Sequence, residues 1–214
     1  MRLYSRHPIL EVYSENNDKM MKLYIICVAF ERAVSLRIMI DCLLVQTNPN
    51  WELHIIHDGP ASDKIKKIIS SYCDPRIKFE ETPKRLGQYG HPNRNYGLSK
   101  LAFNHKDFVL ITNDDNYYVP RFVEYMFNAA KMQVGMVYCD TVHNYINYDV
   151  LQTHIKVGQI DMGSFIVRVD VAKKVGFDSV KVEADGIYAV KCSEYCRKSN
   201  LRIRSIKRPL FIHN

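Results

Sequence analysis

The sequence predicts an α/β fold: a single domain with a mostly parallel central sheet flanked by helices, and an irregular C-terminal half. Three observations lead there. Short apolar runs of strand character alternate with segments of helical period from Lys22 to Cys139. Such alternation implies parallel strands whose connecting helices cover both sheet faces. The chain has 214 residues with 47% hydrophobic content, which allows one sizeable core in one domain. Beyond that point the alternation weakens, so the second half is expected to complete the same sheet less regularly.

Residues 1–20 are polar, lack a period and are expected to form a loose N-terminal extension, with the domain proper spanning 21–214. Leu23–Phe30 reads as a buried strand. Leu36, Met39, Ile40, Leu43 and Leu44 then recur at helical spacing. Trp51–His57 is a second strand closed by Asp58-Gly59. Ile65, Ile68, Ile69 and Tyr72 mark a second helix, with Ser62 or Asp63 placed to cap it. Arg76–Glu80 is a short third strand, followed by a loop from Thr82 to Asn93 and a helix over Asn95–Phe103. Phe108–Thr112 is a fourth strand. Pro120 suits the start of a helix carrying Phe122, Val123, Met126 and Phe127. Val134–Cys139 and Ser164–Val169 read as strands, 184–199 as a helix and Leu201–Ile206 as a last strand.

Composition excludes several classes. Nine Gly and eight Pro do not make a collagen-like or low-complexity chain. The apolar run near the start, Leu23–Phe30, is far shorter than the ~20 residues of a membrane span. Arg2, Arg6, Glu11 and Glu15 interrupt any leader-like stretch, so a cytoplasmic location is expected. Cysteines at 27, 42, 73, 139, 192 and 196 form no Cys-x-x-Cys pair and no zinc spacing, and are expected as free, mostly buried thiols. The net charge of +7 suggests polyanionic partners. Between Arg197 and Arg208 there are six basic residues and no acid. A solvated helix end, a membrane-surface contact and a phosphate-facing wall all fit that run.

Ligands of open α/β sheets bind beyond the carboxyl ends of the strands. Three clusters lie there: Phe30-Glu31-Arg32, His57-Asp58-Gly59 and Thr112-Asn113-Asp114-Asp115-Asn116. Adjacent carboxylates repel unless a cation is near, and hard divalent ions take one or two such groups together with substrate phosphates. An Asn-Asp turn before a helix accounts for the same residues without a metal. Asp58 fits an Asp-Gly turn, and Phe30 fits the core.

These clusters belong to a longer ordered set. Val28-Ala29-Phe30-Glu31-Arg32, the segment from Leu43 to Glu52, and Ile55-Ile56-His57-Asp58-Gly59 resemble the opening of family 2 glycosyltransferases, which have the GT-A fold. His91-Pro92-Asn93-Arg94-Asn95-Tyr96-Gly97-Leu98 is similar to that family's Arg-Asn-x-Gly-Leu segment. Asn113-Asp114-Asp115-Asn116 resembles its Asp-x-Asp segment. Met162-Gly163-Ser164-Phe165 resembles its acceptor-side strand, Glu183-Ala184-Asp185-Gly186 its late acidic motif, and Phe211-Ile212-His213-Asn214 its terminal histidine segment.

The resemblance implies a GT-A, Rossmann-like catalytic domain that moves one sugar from a nucleotide diphosphate sugar to a glycan or glycoconjugate hydroxyl, with inversion. Phe30 would stack on the donor's base and Asp58 would hydrogen-bond it. Arg94 would contact the nucleotide and Asp114 the ribose and sugar. Asp115 and His213 would hold Mn²⁺ or Mg²⁺, and Asp185 would be the general base, with Glu183 as the neighbouring alternative. Glu31 stands where the family often has Asn, and His57 where it often has Asp. Both touch the nucleotide pocket; uridine is the first expectation for the base. No Gln-x-x-Arg-Trp segment exists, since the single Trp is Trp51, which favours non-processive transfer. The competing readings are a nucleotidyltransferase and a non-catalytic basic protein for nucleic acid or anionic membrane. The first lacks a Gly-rich phosphate loop near the first strand, and the second lacks a nucleic-acid motif, so no nucleic-acid partner is expected.

Overall fold

The apolar runs pair as the alternation predicts. In the computed structural model, residues 21–131, 133–177, 181 and 183–214 are described; the predicted extension over 1–20 lies outside them. Leu23–Ala29 (β1) is flanked by Trp51–His57 (β2) and Phe108–Asn113 (β4), both parallel, and Ile77–Glu81 (β3) is parallel to β2. Leu23, Ile25, Cys27 and Ala29 face one core and Ile26 the other, all at 1% exposure or less. A strand buried on both faces needs no polar alternation, which is why β1 reads as a continuous apolar run.

Ala33–Leu44 (α1), Asp63–Ser70 (α2) and Phe122–Ala129 (α4) cover the first face. Leu36, Met39, Ile40 and Leu43 are fully buried there, each contributing ~1.5–3 kcal/mol. His91–Lys100 (α3), Val169–Val175 (α5) and Ala184–Lys198 (α6) are associated with the second. Helix α3 begins four residues before the predicted start. Gly90, at φ 79°, breaks the preceding turn, and Pro92 sits in the first turn where its missing N–H is not needed. Gly97 then lets α3 approach β1, since a Cβ there would lie 2.6 Å from Ile26 Cγ2. Ser62 precedes α2 as predicted, yet its side chain does not cap the helix: its hydroxyl donates to Glu31 Oε2 at 2.6 Å.

The second half departs further. With Tyr117–Tyr118 as β5, Val134–His143 as β6, Asp149–Leu151 as β7, Phe165–Arg168 as β8 and Arg202–His213 as β9, the sheet order is β3-β2-β1-β4-β8-β6-β9-β5, with β7 beside β6. Phe165–Arg168 (β8) runs antiparallel between β4 and Val134–His143 (β6), so this half is mixed rather than parallel. Tyr117–Tyr118 (β5) and Asp149–Leu151 (β7) are too short to show a period. The predicted strand ends at Val169, where the chain instead enters helix α5; β-branched Val169 and Val171 weaken the helical signal there. β6 runs four residues past Cys139, and Arg202–His213 (β9) runs seven past Ile206. Polar side chains ended both predictions, but backbone pairing continues across bulges near Asp140. That long parallel register sets His143 beside His213. The six basic side chains of 197–208 are exposed. No helix among the described residues is long and apolar enough to cross a membrane. All six thiols are free, and four of them are buried.

Candidate active site

The shared register aligns the carboxyl ends of the parallel strands: Ala29 pairs with His57 and Val28 with Asn113. The residues following each strand therefore open onto one edge. A cavity of about 470 Å³ lies there. Phe30, Asp58, Arg94, Asp115, Asp185 and His213 all line it. Asp114 does not; its side chain is fully buried beneath the edge, accepting the Phe30 N–H at 3.1 Å. Glu183 is exposed and is absent from the cavity wall, which leaves Asp185 as the late carboxylate facing the site.

Each wall is held by identifiable bonds. Asp58 accepts from Leu86 N–H at 2.7 Å, Gly87 N–H at 3.1 Å and Asn93 Nδ2 at 3.0 Å. It thus anchors the 85–90 loop over the pocket, and the Asp-Gly turn is only part of its role. Gly59 takes φ 95° in that turn. Arg85 stacks its guanidinium 3.9 Å from the Phe30 ring centroid, so a flat cation covers the face expected to receive a base. His57 donates Nδ1–H to the Gly59 carbonyl at 2.7 Å and accepts the Glu31 N–H at Nε2. This pairing explains why a histidine can stand at that strand end. Ser62 in turn holds the Glu31 carboxyl below the usual range through its hydroxyl and N–H.

Charge is concentrated on the floor and far wall. Arg32 pairs with Asp115 and, at 2.5 Å, with Asp114. Burial pushes the Asp114 carboxyl up to about 6, with Arg32 and the Phe30 N–H pulling the other way. Arg94 is 2% exposed and donates to Tyr89 O at 2.8 Å and Asn113 Oδ1 at 2.8 Å, with His91 Nδ1 2.5 Å away. None of these partners is a carboxylate, and its Nε has no partner. Burial lowers its pKa, an effect opposed by the more distant Asp185 and Asp161. A buried guanidinium without a contacting anion, on a cavity wall, has the charge and the free donor to receive an anionic ligand.

His213 has neighbours that sequence reasoning did not give it. Its ring stacks on His143 with centroids 4.2 Å apart, and its Nε2 is 3.4 Å from Asp161 Oδ2. The ligand atoms of His143, Asp161 and His213 lie within 4.8 Å of one another. Asp115 is not part of that group. Burial pushes the Asp161 carboxyl up, and the His213 ring beside it opposes this. Sequence reasoning named neither Asp161, which directly precedes the Met162–Phe165 segment, nor His143, whose one signal is the register of β6 with β9. Arg85 and Tyr145, also on the cavity wall, had none.

Comparison with known proteins agrees with this geometry. The model of glycosyl transferase family 2 matches residues 24–181. No curated protein matches the chain. Among solved structures, S. aureus TarS 1–349 superposes with a TM-score of 0.71 at 15% identity, covering 91% of this chain and 60% of that one. The same fragment in complex with UDP-GlcNAc gives 0.71 at 17% identity, covering 90% and 58%. The mannosyltransferase PcManGT from Pyrobaculum calidifontis, in complex with GDP-Man and Mn²⁺, gives 0.67 at 13% identity, covering 92% and 57%. The chain thus spans about 60% of the length of these structures. With its strand-end cavity, its sheet order and the matched span taken together, the chain belongs to glycosyl transferase family 2 and has the GT-A fold.

Proposed function

We propose that this domain transfers one sugar from a nucleotide diphosphate sugar, UDP-linked in the first instance, to a hydroxyl of a glycan or glycoconjugate, with inversion. The observation that carries this reading is convergence. Six side chains from separate parts of the chain, Phe30, Asp58, Arg94, Asp115, Asp185 and His213, line one cavity. UDP-GlcNAc and GDP-Man occupy similar folds in TarS and PcManGT.

In this reading Phe30 stacks on the base, with Arg85 moving to its other face. Asp58 holds the loop that borders the base and has one acceptor position left, on Oδ2, to receive from it. Asp114 supports the Phe30 backbone beside the ribose. Arg94 supplies the buried positive charge that the diphosphate needs. Asp185 accepts the acceptor's proton as its oxygen attacks the anomeric carbon. The new carbon–oxygen bond forms as the bond to the diphosphate breaks, and the nucleoside diphosphate leaves from the opposite face. Asp115 and His213 are the proposed holders of Mn²⁺ or Mg²⁺; a nearby His143–Asp161 pair makes the donor set fit a divalent ion. Such an ion supplies neutralisation of the charge developing on the leaving diphosphate. Arg32, now on Asp115, is released toward the phosphates when that carboxylate is engaged.

We also place the domain in the cytoplasm, with the exposed basic stripe of 197–208 meeting anionic membrane, since none of its residues lines the cavity. The test of donor class is a thermal-shift panel of UDP- and GDP-sugars with Mn²⁺. A UDP-sugar is expected to raise the melting temperature, and a chelator to remove the increase. Equal indifference to every nucleotide sugar would reject the reading.

A further inference from the structure

We propose that His91 is a positioning residue: one imidazole ties the guanidinium of Arg94 to the turn that carries Asp185, so the donor grip and the base are held in one register. This link rests on the proposed function, from which Arg94 and Asp185 take their roles. His91 is 3% exposed and opens α3 on the cavity wall. Its backbone is held against β1, since a Cβ on the preceding Gly90 would lie 2.6 Å from Val28 Cγ1. Its ring packs on Phe177 with centroids 5.0 Å apart, and the Arg94 guanidinium lies 5.3 Å from the same Phe177 ring. Phe177 is fixed in turn, because its N–H donates to Asn95 Oδ1 at 2.8 Å.

Both ring nitrogens are engaged, and both partners dictate the same tautomer. A guanidinium only donates, so His91 Nδ1 accepts from Arg94 Nη1 at 2.5 Å. A carbonyl only accepts, so Nε2 carries the proton and donates it to Lys181 O at 3.0 Å. Burial lowers the His91 pKa; the Lys181 carbonyl opposes this, Arg94 adds to it and Asp185 opposes it. The ring is therefore neutral at pH 7, as that tautomer requires. The Lys181 carbonyl also accepts the Ala184 N–H at 3.1 Å, closing the turn into α6. Asp185 follows Ala184 in the first turn of that helix. Losing the Nδ1 acceptor frees one edge of the Arg94 fork. Losing the Nε2 donor leaves the Lys181 carbonyl to the Ala184 N–H and loosens the turn that aims Asp185.

The two bonds are separable by substitution. His91→Phe keeps the ring on Phe177 and removes both. His91→Asn offers an oxygen near the Nδ1 position, and His91→Gln an amide N–H near the Nε2 position. The experiment measures UDP affinity by calorimetry with Mn²⁺ present, and exchange of the Ala184 amide by nuclear magnetic resonance without nucleotide. His91→Phe should bind UDP about tenfold more weakly and exchange the Ala184 amide about tenfold faster, the scale of losing one hydrogen bond at each end. His91→Asn should restore UDP affinity but not slow exchange, and His91→Gln should do the reverse. A ring that merely fills space would give no such crossed rescue. His91→Phe matching wild type in both measurements, or His91→Asn and His91→Gln behaving alike, overturns the link while UDP uptake by wild type keeps the donor reading. No uptake of UDP by wild type overturns the donor reading and the link together.

Discussion

Replacing Asp114 with Asn should remove a pH dependence of stability that the wild-type chain carries. The carboxyl is fully buried and titrates at about 6, against 3.8 when exposed. Burial is the main cause, and the attraction of Arg32 offsets only part of it. Between those two values the folded chain holds a proton that the unfolded chain has released. Stability from this group is therefore full below the lower value, falls as pH rises through the window, and is flat above the upper one. At ~1.4 kcal/mol per tenfold change in proton affinity, ionised Asp114 costs the fold ~3 kcal/mol at neutral pH. Asn resembles the protonated acid and carries no such term. The assay is urea unfolding of both proteins from acid to neutral pH, with a chelator present so that no cation reaches Asp115. Other carboxyls contribute equally to the two proteins, so the difference isolates this one. The variant should gain ~3 kcal/mol relative to wild type across the window. A difference that does not change with pH would refute the argument that burial governs Asp114.

Three further outcomes follow. Asp185→Asn should keep nucleotide-sugar affinity and lose transfer by at least ~10²-fold in a product assay, the scale of general-base catalysis; a wild-type rate would move the base elsewhere. Gly97→Ala should lower unfolding free energy by ~1–3 kcal/mol, because the new methyl would lie 2.6 Å from Ile26 Cγ2 between α3 and β1; unchanged denaturant midpoints would mean that the helix can shift freely. Vesicles rich in anionic phospholipid should retain the domain at low salt and release it as salt rises, and changing Arg202 and Arg204 to Gln should weaken retention; salt-independent behaviour would argue against a charge-driven contact.

The parallel half of the fold was legible because burial on both faces of β1 and β4 leaves an apolar run, and β2 keeps Leu53, Ile55 and Ile56 despite Glu52 and His54. The strand-end residues Phe30, Asp58 and Asp115 could be placed at a site for the same reason: a parallel sheet aligns its carboxyl ends. The second half hid its structure in backbone pairing. β9 carries Arg202, Arg204, Lys207 and Arg208 and still extends β6, since ladder hydrogen bonds do not depend on side-chain polarity. Periodicity therefore could not reveal that His143 meets His213. Asp114 was legible as chemistry but not as depth, because adjacent acids look alike until the strand twist buries one beneath Phe30 and leaves the other at the cavity. Arg85 and Arg32 were unreadable as partners of Phe30 and Asp115, since each contact spans separate loops.

The most direct measurement is calorimetric titration of a UDP-sugar, with Mn²⁺ present, into wild type and Arg94→Met, with uridine as the control ligand. Wild type should bind one UDP-sugar per chain. The variant should bind it ~10–100-fold more weakly, the worth of a charge-assisted contact to phosphate, while binding uridine unchanged. No uptake by wild type, or equal affinity in the two proteins, would contradict the claim that this cavity grips a nucleotide diphosphate through a buried guanidinium.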